Sequence, residues 1–359
     1  MKIWLSVFVL LVLSKIQLHV HGEAQVPCFF IFGDSLADSG NNNLLPTEAR
    51  ANYQPYGVDY PSGTTGRFSN GRTSFDIIGE LLGFENHIPP FTTANGSDIL
   101  KGVNYASGSA GIRNETGQHL GAHISLDGQL RNHQVTVSKI AGLLGNNVSA
   151  ATEYLNKCLY SVGMGNNDYI NNYFLPKHYP TKRLYSQNQY AQVLIDQYSQ
   201  QIKSLYNNGA RKVVLFGVGR IGCTPNAISL HGTTNGSLCV DKMNKAVRHF
   251  NVKLKLLINQ LNSNLTDAHF TYVNAYRMGS MNVSAFGFKV WNVGCCPVGE
   301  NGQCLPDHQN TICKNRTEYL FWDSFHTTEA VNILTAARSF SSVDEYDAYP
   351  MDISRLAKL

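Results

Sequence analysis

The residues best suited to chemistry are a serine near the start of the chain and an aspartate–histidine pair near its end. Ser35 lies in FFIFGDSLADSGNNN, residues 29 to 43, where four apolar residues lead directly into Gly-Asp-Ser. Asp323 and His326 lie in the short segment DSFH. A serine hydroxyl is a weak nucleophile until a base removes its proton, and an imidazole oriented by a carboxylate is such a base. These residue types predict an acyl-transfer triad.

Two further segments could stabilise the negative charge that develops on a carbonyl oxygen in such a reaction. They are NYASGSAG, residues 104 to 111, and GNND, residues 165 to 168. Gly108 could donate a backbone N–H without obstruction by a side chain, and the Asn167 amide could donate a side-chain N–H. With the backbone N–H of Ser35, these groups predict a three-donor oxyanion hole, in which each donor contributes about 10²- to 10³-fold to turnover.

Regular structure must position these segments, and the hydrophobic pattern indicates strands that alternate with helices. Short apolar runs predict five strands, at residues 28–34, 99–107, 159–165, 211–219 and 269–275. Helical spacing predicts helices at residues 73–82, 125–144, 150–157, 187–208, 240–261 and 327–339. Strands joined through helices pair in parallel, and function gathers beyond their carboxyl ends. The sequence therefore predicts one α/β domain with the catalytic loops at one edge of its sheet.

Four blocks of this sequence, in this order, resemble the plant GDSL-type esterase/lipase family within the SGNH hydrolases: FGDSLADSGNNN, GVNYASGSAGI, YSVGMGNNDY and FWDSFHTTEA. The resemblance extends to GRFSNGRTSFD, GARKVVLFGVGRIGCTPN and NVGCCP, so it covers nearly the whole mature chain. It implies a flavodoxin-like three-layer α/β/α sandwich with a central five-stranded parallel sheet. It also implies chemistry that needs neither a metal ion nor an organic cofactor.

The resemblance assigns a role to each candidate residue. Ser35 would be the nucleophile, with Asp323 and His326 completing the triad, and Ser35, Gly108 and Asn167 would form the oxyanion hole. The chain departs from the family at Thr327, because proline usually follows the catalytic histidine. A threonine can cap the helix that follows, so we expect little effect on the chemistry.

Other candidates for chemistry are better explained as structural. Asp34 and Asp168 are expected to accept backbone N–H bonds around their turns. The sequence GVGRIG, residues 217 to 222, matches the glycine pattern of dinucleotide sites, but Cys-Thr-Pro follows and prevents the helix that such a site requires. The Gly-x-Ser-x-Gly elbow of α/β-hydrolases is absent from the sequence, which argues against that fold.

The composition is typical of a folded protein, and the N-terminal segment indicates export. The chain has 359 residues, of which 43% are hydrophobic and 15% charged, and its formal net charge is +4. Because there is no long run of lysine or arginine, nucleic acid is not expected as a partner. Residues 1–22 combine an early lysine with a short apolar run and predict a cleaved secretory signal peptide. A single hydrolase domain is predicted over residues 23–359, without a transmembrane segment.

Seven Asn-x-Ser/Thr motifs are consistent with a secreted, extracellular or apoplastic glycoprotein. The predicted glycosylation sites are Asn95, Asn114, Asn147, Asn235, Asn264, Asn282 and Asn315.

Eight cysteines lack the spacing of zinc ligands, so disulfides are expected rather than a metal site. Cys223 is expected to pair with Cys239. Cys28 and Cys158 begin neighbouring predicted strands and either form a disulfide or remain buried thiols. The other four are expected to pair among themselves in an order that the sequence leaves open: Cys295, Cys296, Cys304 and Cys313.

The function predicted from these features is hydrolysis of a carboxylic ester through an acyl-serine intermediate. An acyltransferase would use the same triad, and a non-catalytic secreted protein that binds lipid or cell wall could keep the same scaffold. The resemblance leaves acyl lipids, small esters and acetylated polysaccharides as substrates, and the oligomeric state stays open. Aromatic residues in the connecting loops are predicted to line the acyl or sugar site: Tyr53, Tyr56, Tyr60, Phe91, Tyr173 and Phe174.

Overall fold

The computed structural model describes residues 23–233, 236–280 and 282–359. The predicted signal peptide, residues 1–22, and the predicted glycosylation site Asn235 lie outside the described residues.

Seven strands form two sheets in the described part of the chain. The main sheet has the order β1-β2-β3-β4-β7, and β5 and β6 form a separate two-stranded sheet. The strands are β1 Phe29–Gly33, β2 Leu159–Gly163, β3 Lys212–Phe216, β4 His269–Val273, β5 Val290–Gly294, β6 Tyr319–Phe321 and β7 Ala348–Tyr349. In the main sheet β1 to β4 are parallel and β7 is antiparallel to β4. The predicted α/β fold with a central five-stranded sheet is confirmed. The sheet is mainly and not wholly parallel, because β7 runs antiparallel to β4.

Eleven α-helices are found in the described residues, and the six predicted helices agree with six of them to within a few residues. The helices are α1 Ser74–Leu81, α2 Leu126–Leu143, α3 Val148–Asn156, α4 Asn166–Asp168, α5 Thr181–Leu184, α6 Gln187–Asn207, α7 Pro225–His231, α8 Asp241–Asn264, α9 Ala275–Met278, α10 Glu329–Phe340 and α11 Ile353–Ala357. Helices α2, α6 and α8 bury their apolar sides against one face of the sheet. Helices α1, α10 and α11 cover the other face, which gives three layers.

The predicted second strand, residues 99–107, differs in the structure. Its first part lies in a 3₁₀-helix, Gly96–Lys101, and its last part runs beside β1 without forming a regular strand. The Ile31 N–H donates to the Val103 carbonyl over 3.1 Å, and the Tyr105 N–H donates to the Ile31 carbonyl over 2.7 Å. Gly102 makes the approach possible, because a Cβ there would lie 2.0 Å from the Phe29 carbonyl oxygen. The fifth strand of the sheet is the short β7, which lies at the opposite edge beside β4.

All eight cysteines form disulfides. The expected pair Cys223–Cys239 is confirmed, and Cys28 pairs with Cys158, which decides between the two alternatives for these residues. The remaining four pair among themselves as expected, as Cys295–Cys313 and Cys296–Cys304. The last two disulfides lie beside the two-stranded sheet of β5 and β6. Cys28–Cys158 lies at the amino ends of β1 and β2, opposite to the edge at which the candidate loops emerge.

Within the described residues, no helix combines the length and the apolarity that a membrane crossing requires. In the same part of the chain, no group of three or more histidine, cysteine, aspartate or glutamate side chains is arranged to hold a metal ion.

Candidate active site

Ser35 lies two residues beyond the carboxyl end of β1, in a turn held by side chains on both sides. The Asp34 carboxylate accepts from the Leu36 N–H over 3.0 Å and from the Asn166 side-chain amide over 3.0 Å. The Gln129 side chain from α2 accepts from the Gly33 N–H over 3.0 Å and donates to the Gly33 carbonyl over 2.8 Å. Burial raises the pKa of Asp34. The predicted structural role of Asp34 agrees with these contacts.

The structure brings Ser35, His326 and Asp323 together in one chain of hydrogen bonds. Ser35 Oγ lies 2.7 Å from His326 Nε2, and His326 Nδ1 lies 2.7 Å from Asp323 Oδ2. A carboxylate only accepts, so Nδ1 carries the proton and Nε2 is left as the acceptor for the serine hydroxyl. Asp323 is fully buried and His326 is 6% exposed. This arrangement of nucleophile, base and orienting carboxylate is suited to acyl transfer.

The base and the carboxylate lie in one tight turn that fixes their geometry locally. The backbone N–H groups of Phe325 and His326 both donate to Asp323 Oδ1 over 2.8 Å. The Trp322 N–H donates to the His326 carbonyl over 2.7 Å and closes the turn. The ring of Phe68 packs against the imidazole with a centroid distance of 4.9 Å. The imidazole therefore has little freedom to leave the line between the hydroxyl and the carboxylate.

One further polar contact reaches the carboxylate from a distant part of the sequence. The Tyr56 hydroxyl donates to Asp323 Oδ2 over 2.6 Å. The prediction that Tyr56 lines the substrate site is wrong, because its side chain is fully buried. The two residues are 267 positions apart, so no local pattern in the sequence could indicate the contact.

The prediction that the Gly108 N–H donates to the oxyanion does not agree with the structure. Its backbone N–H donates to Asp38 Oδ2 over 2.9 Å and is therefore not free for a substrate oxygen. The next residue, Ser109, has a φ of 62°, and its N–H has no acceptor among the described residues. The Ser35 N–H is likewise without an acceptor in the described part of the chain. The residue type favours Gly108, whose backbone is unobstructed, but the buried Asp38 carboxylate occupies its N–H and leaves that of Ser109 free.

Asn167 keeps one side-chain N–H available. Its Nδ2 donates to the Ala110 carbonyl over 3.0 Å, and its Oδ1 accepts from the Asn171 amide over 2.8 Å. An amide nitrogen carries two hydrogens, so one of them is left after the bond to Ala110. The bond between Asn167 and Asn171 fixes which way the amide faces.

Two buried carboxylates hold the ends of the turn that follows the extended segment beside β1. Asp38 accepts from the N–H groups of Gly40, Asn41 and Gly108. Burial raises the pKa of Asp38 to about 6. The second is Asp168, which accepts from the Ile112 N–H, the Arg113 N–H and the Thr116 hydroxyl. Burial also raises the pKa of Asp168 to about 6. These contacts agree with the structural role predicted for Asp168.

The other aromatic residues predicted to line the substrate site mostly serve the core. Tyr173 and Phe174 are buried, and Phe91 packs against Tyr105 with ring centroids 5.7 Å apart. Tyr60 contacts His87, and Tyr53 bonds to the Cys304 carbonyl. An apolar side chain does reach solvent beside the nucleophile, because Leu36 is 40% exposed.

The residue after the histidine also differs from expectation. The N-cap of α10 is Thr328, so the prediction that Thr327 caps this helix is wrong. Its hydroxyl donates instead to the Asn332 side chain over 2.6 Å.

Six predicted glycosylation sites are exposed in the structure. They are Asn95, Asn114, Asn147, Asn264, Asn282 and Asn315. Their exposure leaves them accessible to modification.

Comparison with known proteins identifies relatives along the whole chain. Residues 29–338 match the sequence profile of the family described as GDSL-like Lipase/Acylhydrolase. One Arabidopsis thaliana protein named GDSL esterase/lipase is 52% identical over 362 residues, which cover 99% of this chain and 98% of the relative. A second of that name is 50% identical, with the same coverage of both chains. A third is 52% identical over 344 residues, covering 94% of each chain.

Proposed function

Because the chain belongs to the GDSL-like lipase/acylhydrolase family and is an esterase or lipase, we propose that it hydrolyses carboxylic esters through an acyl-serine intermediate on Ser35. The observation that carries the proposal is the continuous hydrogen-bonded chain from Ser35 through His326 to Asp323. Distances of 2.7 Å at both contacts suit proton transfer from the hydroxyl to the imidazole.

In the first half of the reaction, Ser35 Oγ attacks the ester carbonyl carbon while His326 Nε2 takes the hydroxyl proton. The Asp323 carboxylate stabilises the imidazolium that forms and keeps Nδ1 protonated. His326 then gives the proton to the leaving alcohol, and the acyl group stays on Ser35. In the second half, water attacks the acyl-serine with His326 as the base, which releases the acid and restores the hydroxyl.

The oxyanion of each tetrahedral intermediate would be stabilised by the Ser35 N–H, the remaining Asn167 N–H and a backbone N–H of the turn at residues 108–109. The bond from the Gly108 N–H to Asp38 favours Ser109 as the donor of that turn. The left-handed backbone of Ser109 supports this assignment, since such backbone is often retained at functional turns. Gly108 then serves as the anchored residue that sets the direction of the next N–H.

We also propose that the protein is secreted as a single hydrolase domain, residues 23–359, after removal of residues 1–22, and that it carries N-glycans. Four disulfides support this, because such cross-links persist in oxidising compartments. Expression in a plant secretory system should release a protein into the medium that begins near residue 23 and shifts in mass after enzymatic deglycosylation. Retention of the N-terminal residues in an intracellular, unmodified protein would contradict the proposal.

Hydrolysis of p-nitrophenyl esters from acetyl to long acyl chains tests the catalytic part. We expect the wild type to turn over and Ser35→Ala to lose at least about 10³-fold in kcat/KM. Ser39→Ala is the matched control, since Ser39 lies in the same loop and its buried hydroxyl has no partner among the described residues. Activity of Ser35→Ala equal to that of the control would refute the nucleophile. An ester product in place of free acid, formed when an alcohol is added, would favour acyl transfer.

A further inference from the structure

Asp323 receives four hydrogen bonds, and they divide unequally between local and distant residues. Its Oδ1 accepts from two N–H groups of its own turn, those of Phe325 and His326. Its Oδ2 accepts from His326 Nδ1 and from the Tyr56 hydroxyl, which lie 2.7 and 2.6 Å away. The oxygen that faces the catalytic imidazole is therefore shared with a residue outside the triad.

We propose that Tyr56 is a positioning residue for the reaction, which fixes Asp323 Oδ2 and divides its negative charge between the phenol and the imidazole. This inference rests on the proposed function only where activity is the readout. Without the phenol, the only bond left on Oδ2 would be the one from His326 Nδ1, the group that the carboxylate has to orient. The carboxylate could then turn about its Oδ1 anchor together with the imidazole. A misdirected Oδ2 would orient His326 less well for taking the Ser35 proton.

The surroundings of Tyr56 fix the direction of its hydroxyl. The phenol oxygen accepts from the Cys304 N–H over 3.2 Å, so its own hydrogen is free to lie along the bond to Asp323. The ring packs edge-on against Tyr53, with centroids 5.3 Å apart, and against Phe68 at 6.0 Å. Cys304 is held in turn by its disulfide to Cys296. The phenol is thus a donor in a rigid frame.

The phenol is held in its protonated form by its surroundings. Burial, together with the neighbouring Asp323 carboxylate, holds the pKa of Tyr56 well above its usual range. A hydrogen bond to a charged group is roughly twice as strong as one between neutral groups, so this contact is a substantial part of what holds Oδ2. The other ionisable groups that face the pair are His326 and Tyr53, and Asp34 faces the imidazole from the nucleophile's loop.

Two tyrosine-to-phenylalanine variants separate this role from packing. Tyr56→Phe removes the bond to Asp323 and leaves the Cys304 N–H without its acceptor. Tyr53→Phe leaves the Cys304 carbonyl without the Tyr53 donor, a bond of 2.9 Å, and does not touch the triad. Each variant therefore unpairs one backbone group of the same residue and keeps the ring. Only Tyr56→Phe changes the hydrogen bonding of the Asp323 carboxylate.

For Tyr56→Phe we expect kcat on a p-nitrophenyl ester to fall about tenfold with little change in KM, the scale of one lost hydrogen bond to a charged group. The acidic limb of kcat/KM should move to higher pH, because Oδ2 no longer shares its charge with the phenol. Tyr53→Phe should keep both kcat and the pH profile of the wild type.

A spectroscopic readout makes the result independent of any substrate. The proton on His326 Nδ1 should give a strongly downfield NMR signal that moves in Tyr56→Phe and stays in Tyr53→Phe. If this signal moves while the wild type hydrolyses no ester, the positioning role stands and the proposed function fails. If the kinetic constants, the pH profile and the signal of Tyr56→Phe match those of Tyr53→Phe, the positioning role is overturned.

Discussion

The two halves of the candidate site are built in different ways. The loop with Ser35 extends from β1 of the main sheet, and its neighbours are held by buried carboxylates such as Asp34 and Asp38. The turn with Asp323 and His326 lies beside a small two-stranded sheet and two disulfides, and an aromatic cluster surrounds it. The first half is held by the sheet and by buried carboxylates with raised pKa values. The second half has its own buried carboxylate, Asp323, and is surrounded by cross-links and aromatic packing.

Because they are held differently, the two halves should respond to different perturbations. Buried carboxylates with raised pKa values titrate in the mildly acidic range, so the nucleophile's side should be sensitive to pH. Disulfides do not titrate there but depend on an oxidising environment, so the base's side should be sensitive to the loss of its cross-links.

Asp323→Asn should abolish most activity by disturbing the base's side alone. An amide NH₂ facing His326 Nδ1 would favour the wrong imidazole tautomer, and we expect kcat to fall roughly 10⁴-fold. Steady-state kinetics measure the loss, and circular dichroism should show an intact fold. A decrease below about tenfold would mean that the carboxylate does not orient the base.

Removal of single disulfides should separate stability from activity. Cys28–Cys158 joins residues 130 positions apart, and Cys296–Cys304 joins residues 8 apart. Loop-closure entropy predicts a loss of about 5 kcal/mol in the free energy of unfolding for the first and about 2.5 kcal/mol for the second. The corresponding double alanine variants are compared by urea denaturation and by kcat of the folded fraction.

Loss of the Cys296–Cys304 disulfide should destabilise the protein less than loss of Cys28–Cys158, but it should lower kcat more. The Cys296–Cys304 disulfide holds the Cys304 N–H that contacts Tyr56, whereas Cys28–Cys158 lies at the opposite end of the sheet. An equal kcat for the two folded variants would contradict the proposed division between the halves.

The free energy of unfolding should change with pH because of the buried carboxylates beside the nucleophile, such as Asp38. Because burial raises the pKa of Asp38 to about 6, the folded state holds its proton more tightly than the unfolded state does. Its contribution to stability is then present below about pH 4 and is lost as pH rises through about 6. The decrease for one such group is on the order of 1–3 kcal/mol.

Urea denaturation at pH 4.5 and pH 7 measures this decrease, with Asp38→Asn as the reference. The variant should lose less stability between the two pH values than the wild type does, because it lacks the titrating group. A steeper decrease in the variant would show that the Asp38 carboxylate is not destabilised by its burial.

Thr327→Val should have the smallest effect, although Thr327 adjoins the catalytic histidine. It removes the hydrogen bond to Asn332, so we expect a loss of about 1 kcal/mol in the free energy of unfolding and little change in kcat. Thermal unfolding and ester hydrolysis measure the two quantities. A loss of activity as large as that of Tyr56→Phe would mean that sequence proximity to His326 matters more than contact with Asp323.

The regular elements of the fold were largely predictable because their signals are local. An apolar run that stops at Gly33 is sufficient to indicate β1, and the spacing of apolar residues indicates α8. The segment at residues 99–107 was not predictable in the same way. Its apolar composition is typical of a strand, but its first residues form a 3₁₀-helix. This helix ends at Gly102, where the backbone closely approaches β1. Strand β7 has two residues, too few to leave a periodic signal.

The site was predictable where residue type determines the chemistry and not where neighbours decide it. Ser35, Asp323 and His326 have side chains that suit acyl transfer, and the structure brings all three together. The free N–H of the turn at residues 108–109 depends on the position of Asp38, which residue type does not reveal. Tyr56 is an aromatic residue in a connecting loop, which is typical of a substrate-binding side chain. Only the packing of distant segments makes it a partner of the Asp323 carboxylate.

The turn that contains both Asp323 and His326 has a consequence for biosynthesis. Ser35 emerges from the ribosome 291 residues before its base, so a growing chain can form the nucleophile's loop long before it can use it. The cysteines nearest the base, up to Cys313, also precede it in translation. We therefore expect the nascent chain to be unreactive toward esters, and esterolysis to begin only when the last part of the domain has folded against the first.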